Sequence, residues 1–236
     1  MDPNYGKSIF PVLFQMTIET SQRCEYDRDR IPLRENKRYE IATSFVVSVN
    51  RDSPIQEVLD KVRDFETVPL EFEKDPRRIL HKELCTKELG VSDNVGGQFV
   101  SLNEEDVSYD FKRSIQIVKF PKILRITVQL NPGKSRTLDL SDKDGLISLN
   151  NALGETKDFK LYGVVYKHGG RGGGHYTALV RDIHSNREFG SFYNYDDSSS
   201  SKVETEKLGA RLKDNKSYIL YYYSMDFLNQ YLSAYY

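Results

Sequence analysis

Tryptophan is absent from this chain of 236 residues, and only two cysteines are present, Cys24 and Cys85. Two thiols exclude the disulfide-dense scaffold of small secreted proteins and point to a reducing compartment, cytosol or nucleus. No apolar run approaches the roughly 20 residues of a membrane helix, so no membrane association is expected. The opening MDPNYGKSIF has no cationic segment followed by an apolar stretch, so no secretory signal is expected either. Neither sign of charge dominates: Lys+Arg 34 against Asp+Glu 35 leaves a net charge of -1. Without a basic field, nucleic acid is not expected as a partner. A protein partner is left open. No internal repeat is visible, and the one low-complexity stretch is the short serine run 198–201.

What is present is a globular composition. Hydrophobic residues make up 38% and charged residues 29%, enough for a sizeable core in one large domain or two small ones. Residues 1–9 read as a lead-in. Residues 39–49 (YEIATSFVVSV) are rich in β-branched and aromatic residues and read as a strand. Ser53-Pro54 suits a helix start, with Ser53 at the N-cap, Pro54 at the first helical position and Gln56 at the reciprocal capping position. Ile55, Val58, Leu59 and Val62 then share one helical face, and the helix is expected to end near Phe65. Residues 66–112 are charged, with turn signals at Asp75-Pro76 and Gly96-Gly97, and read as an insertion.

The second half alternates. Ile115 and Ile117 alternate with polar residues over 114–118. Leu124, Ile126, Val128 and Leu130 alternate with Arg125, Thr127 and Gln129, a strand with one wet face. Segments 161–166, 175–182, 188–195 and 217–223 read as further strands, with a hairpin turn expected at Ser185-Asn186. The tail 226–236 reads as a short amphipathic helix packing on the domain. The fold class expected is α+β: a mostly antiparallel sheet with a few helices.

Chemistry concentrates in 161–197, LYGVVYKHGGRGGGHYTALVRDIHSNREFGSFYNYDD. A strand enters a glycine-rich loop, His175-Tyr176 opens the next strand, and Asp196-Asp197 closes a later one. Adjacent antiparallel strands are expected to bring His175 beside Asp196, with Asp197 as the rival carboxylate. An imidazole used as a base needs such a carboxylate to fix its tautomer and stabilise its protonated form. The loop is no phosphate cradle, because no Gly-Lys-Ser/Thr ending or helix signal follows it.

This segment resembles the His box of ubiquitin-specific proteases, the papain-like cysteine deubiquitinases. The matching residues are Leu161-Tyr162-Gly163-Val164, His168-Gly169, Gly174-His175-Tyr176-Thr177-Ala178 and Phe192-Tyr193-Asn194-Tyr195-Asp196-Asp197. The segment 217–223 (SYILYYY) resembles the family's closing strand. The segment 119–130 (KFPKILRITVQL) resembles an upstream strand, with Thr127 and Leu130 departing from the pattern. The resemblance implies a papain-like palm over residues 10–225. It implies His175 as general base and Asp196 as its orienter. It implies that Gly172, Gly173, Gly174 and Tyr176 line the channel for ubiquitin's C-terminal Gly-Gly. His168 is then a strand-end residue outside the chemistry.

The family's nucleophile box, a Cys at the start of a helix preceded by an oxyanion donor, has no counterpart here. Cys24 lies in SQRCEYD and Cys85 in KELCTK. Zinc is not expected: Cys24, His81 and Cys85 are scattered, whereas structural zinc takes four ligands in paired spacing. No cofactor or metal is expected. The leading expectation is a palm portion of a thiol-dependent deubiquitinase, inactive alone, whose nucleophile comes from upstream residues or from a second chain carrying the thumb. The alternative is a non-catalytic module that binds ubiquitin or a ubiquitinated protein within a larger complex. A third reading is a related peptidase acting on another ubiquitin-like modifier.

Overall fold

A computed structural model describes residues 9–26, 36–49, 52–64, 66–67, 94–95, 98–99, 109–130, 137–141, 145–169, 174–183, 191–214 and 217–235. The strands in chain order are β1 (Met16–Tyr26), β2 (Asn36–Ala42), β3 (Phe45–Val49), β4 (Ser53–Pro54), β5 (Glu66–Thr67), β6 (Asn94–Val95), β7 (Gln98–Phe99), β8 (Tyr109–Lys119), β9 (Ile123–Leu130), β10 (Leu138–Asp139), β11 (Leu146–Asn150), β12 (Thr156–His168), β13 (His175–Arg181), β14 (Phe192–Asp196), β15 (Ser199–Lys202), β16 (Lys213–Asp214) and β17 (Ser217–Ser224). The described helices are α1 (Ile9–Phe14), α2 (Ile55–Arg63), α3 (Thr205–Leu212) and α4 (Met225–Tyr235). No helix among the described residues is long and apolar enough to cross a membrane.

The chain divides into two compact units. One comprises residues 1–18, 40–60 and 117–236, the other 19–39 and 61–116. In the first, an eight-stranded sheet runs β15-β14-β13-β12-β17-β9-β3, with β11 also paired to β12. Every pairing in it is antiparallel except β3 with β9. The alternation expected for β9 is observed: Leu124, Ile126 and Val128 are buried, while Gln129 is exposed. Val164, Leu179, Leu220 and Tyr222 continue the same buried layer across β12, β13 and β17. Apolar residues on one side of each strand leave water together, and this drives the sheet to close on its core. Burial pushes the Tyr222 hydroxyl up, away from ionisation.

The second unit carries most of a four-stranded sheet ordered β2-β1-β8-β5. Its one buried carboxylate among the described residues, Glu19 on β1, accepts from Ser21 Oγ at 3.1 Å and Lys37 Nζ at 3.0 Å. Burial raises the Glu19 pKa. Hydrogen bonds from Tyr39, Lys37 and Ser21 and the Lys37 charge outweigh that, so the carboxyl titrates below its ordinary value. In the 66–112 segment, β6 and β7 pair with Val95 opposite Gln98, flanking the expected Gly96-Gly97 turn. The Asp75-Pro76 and Ser185-Asn186 turns lie outside the described residues.

Several local expectations need correction. Residues 39–49 are not one strand. They belong to β2 and β3, in different sheets, with the break at Thr43-Ser44, and Ser44 Oγ lies 2.7 Å from Thr127 Oγ1. Ser53 and Pro54 are not the cap and first turn of α2. They form β4, with Ser53 N donating to Thr137 O, and the helix starts at Ile55. Gln56 performs no capping. Its amide donates to Ser148 O and accepts from Ser148 N, pairing with the outer flank of β11 as a neighbouring strand would. The helical face itself holds, with Ile55, Val58 and Leu59 buried. The helix ends at Arg63. The tail helix α4 begins at Met225 and packs on its own unit: Leu228 is buried, and the Phe227 ring lies 5.8 Å from Tyr223.

Candidate active site

β12 and β13 form a hairpin whose last pair sets His168 opposite His175. Gly174 precedes that pair. A Cβ at Gly174 would stand 2.8 Å from the His168 carbonyl oxygen, closer than real Cβ contacts come, so only glycine lets the strands meet there. On the far side of β13, Thr177 pairs with Asp196 of β14. The side chains of His175, Thr177 and Leu179 share one face of β13 because strand side chains alternate. Thr177 and Leu179 are buried, and His175 sits at the open end of that buried layer.

Sheet register thus delivers an imidazole and a carboxylate from residues 21 apart to one point. His175 Nε2 lies 2.5 Å from Asp196 Oδ1, and both side chains are 47% exposed. With Nε2 committed to the carboxylate, Nδ1 is the nitrogen left for proton transfer. Asp196 ends β14, and Asp197 turns the chain into β15 with a left-handed φ of 49°. Ser199 Oγ donates to Asp196 O at 2.8 Å and closes this hairpin.

A second histidine lies beside the first. His168 Nε2 is 2.9 Å from Thr177 Oγ1, and its ring centroid is 6.1 Å from that of His175. His168 is a strand-end residue, as the sequence suggests. The role of Thr177 is one that sequence reasoning misses. The available signal is the pair of histidines bracketing the glycine loop, which the hairpin sets side by side.

Tyr176 projects to the opposite face of β13, where its exposed ring lies 6.1 Å from Tyr218. Gly174 is exposed at the start of β13, whereas Gly172 and Gly173 lie outside the described residues. Cys24 lies within strand β1, so no helix start adjoins it. Cys85 and His81 lie outside the described residues. His175, Asp196 and Asp197 each bring one potential metal-ligand atom within 4.8 Å of the others. Three exposed atoms, one already bonded to another, fall short of the closed four-ligand set of a structural zinc.

The family model "Ubiquitin carboxyl-terminal hydrolase" matches residues 2–222. A segment of 74 residues is 34% identical to Ubiquitin carboxyl-terminal hydrolase 10 of Arabidopsis thaliana, covering 31% of this chain and 7% of that protein. Among solved structures, the Ubp8-Sgf11-Sgf73-Sus1 SAGA DUB module matches with a TM-score of 0.52 at 15% identity, over 94% of this chain and 42% of the other. The SAGA Ubp8/Sgf11/Sus1/Sgf73 DUB module bound to ubiquitin aldehyde matches with a TM-score of 0.53 at 16% identity, over 94% and 44%. The chain therefore spans under half the length of the solved chains it matches. The mostly β architecture with few helices is the ubiquitin-specific protease fold of those structures. On the family match over nearly its whole length, this chain belongs to the ubiquitin carboxyl-terminal hydrolase family.

Proposed function

We propose that this chain is the palm portion of a ubiquitin-specific protease, supplying the base and its orienter for thiol-dependent cleavage after ubiquitin's C-terminal glycine. The hydrogen bond between His175 Nε2 and Asp196 Oδ1 at the open end of the sheet carries the reading. Asp196 holds the proton on Nε2 and favours the imidazolium. Nδ1 takes the proton of a cysteine thiol, and the thiolate attacks the glycine carbonyl carbon. As the tetrahedral intermediate collapses to a thioester, the imidazolium gives its proton to the departing lysine amine. Water then hydrolyses the thioester with His175 again as base. Gly172, Gly173 and Gly174 line the approach of the Gly-Gly tail, and Tyr176, on the other face of β13, contributes to that approach only through its backbone.

The nucleophile comes from residues outside this sequence or from a second chain carrying the thumb. The solved relatives fit that expectation, being longer chains within multi-protein modules, one of them bound to monoubiquitin and another to ubiquitin aldehyde. The low cysteine count supports a cytosolic or nuclear site of action. The second reading is a non-catalytic ubiquitin-binding module. It is favoured by one observation: Cys24 sits in a strand rather than at a helix start.

A ubiquitin suicide probe separates these readings. The chain alone is expected to form no covalent adduct, and adduct at Cys24 or Cys85 would overturn the external nucleophile. Mixed with a Cys-box thumb fragment, the chain is expected to restore adduct on the thumb cysteine, and His175→Ala to remove it. Ubiquitin binding without any such rescue would favour the non-catalytic reading.

A further inference from the structure

The serine run beside the site has no part in the chemistry above. β15 is the outer strand of the eight-stranded sheet, bonded among the described residues only to β14, and residues 198–202 are all exposed. The run is thus already extended, with one open backbone flank, the form in which a peptide enters a binding groove. The four hydroxyls differ. Ser199 Oγ is engaged with Asp196 O, whereas Ser201 stands three residues before exposed Glu204, with exposed Glu206 beyond it.

We propose that Ser201 is a phosphorylation site for a kinase whose basic substrate groove requires an acidic side chain three residues after the acceptor, and that this first phosphate makes Ser198 the second site. The first requirement is met by Glu204. The second follows from spacing: phosphate on Ser201 stands three residues after Ser198, where it carries about −1.5 to −2 charges at neutral pH. In each step the γ-phosphoryl group of ATP passes to the serine Oγ. The new P–O bond forms as the bond to the β-phosphate oxygen breaks. ADP leaves, and the hydroxyl proton passes to the kinase's catalytic base.

The second phosphate falls next to Asp197, whose carboxylate lies within 4.8 Å of the His175 nitrogen and the Asp196 oxygen. Among the described residues, the groups facing His175 are Asp196 and Asp197 from the β14–β15 hairpin and His168 from β12. A dianion added to this set changes the charge beside the proposed base. This consequence rests on the function proposed above, whereas the acceptor order does not.

The test treats the full chain with ATP and an acid-directed Ser/Thr kinase and maps phosphate by mass spectrometry over time. Expected are phosphate on Ser201 first and Ser198 second, a roughly tenfold or greater loss at Ser198 in Ser201→Ala, and a similar loss at Ser201 in Glu204→Gln. Phosphate absent from Ser201, spread evenly through the run, or indifferent to Glu204 would overturn the acceptor assignment. Failure of thumb rescue would leave the phosphate map intact, so the two proposals fail separately.

Discussion

Two charge pairs, one in each unit, use nearly the same chemistry to different ends. In the second unit, Glu19 is buried beneath Lys37 at 3.0 Å and also takes the Ser21 hydroxyl. In the first, Asp196 meets His175 at 2.5 Å with both side chains about half exposed. A buried carboxylate is held by donors because leaving it bare is costly, so the Glu19 cluster serves the fold. An exposed pair gains little stability from attraction screened by water. The His175–Asp196 pair is thus ordered by strand register more than by its own energy, and both side chains stay about half exposed. Burial, not residue type, separates a structural ion pair from one available for proton transfer.

The sharpest break in that comparison is expected in activity. In the thumb-reconstituted enzyme, His175→Ala should cut turnover by about 10³-fold or more. Urea unfolding of the same variant should stay within about 0.5 kcal/mol of the parent. A large stability loss would make His175 structural after all. Asp196→Asn should cost about 10²-fold in turnover, since the ring loses the carboxylate that orients it. Unchanged turnover in that variant would remove Asp196 as orienter.

Gly174→Ala tests whether register does the positioning. Its Cβ must displace the His168 carbonyl, so a loss of about 1–2 kcal/mol and roughly tenfold in turnover is expected. Glu19→Ala inverts the pattern, losing about 1 kcal/mol in urea unfolding with turnover kept. The smallest effect is the pH dependence of that cluster. The Glu19 carboxyl titrates below its ordinary 4.5, so its contribution is fully present above that pH and is lost as pH falls through the lowered value. Acid unfolding of Glu19→Gln should be flatter below about pH 4.5, and curves that superimpose would mean the cluster contributes nothing there.

Legibility in the sequence tracked how far each signal depends on neighbours. Alternation in β9 and the terminal β17 was readable because each strand has one apolar face. The meeting of His175 and Asp196 was readable because strand order there follows chain order. The split of 39–49 was not, since Thr43 and Ser44 suit a strand as well as a break, and only pairing with different sheets separates them. β4 and the edge bond of Gln56 were hidden for a similar reason. A cap motif and a short bridge share the same residues, and the partners, Thr137 and Ser148, lie far along the chain. The His168–Thr177 contact required knowing which residues the hairpin aligns.

The Gln56 amide reaches Ser148 with donor and acceptor together, so a lone glutamine occupies hydrogen-bonding groups that a stray extended chain would otherwise recruit. At Ser148 the outer flank of β11 is thereby closed to a further strand by a single uncharged side chain.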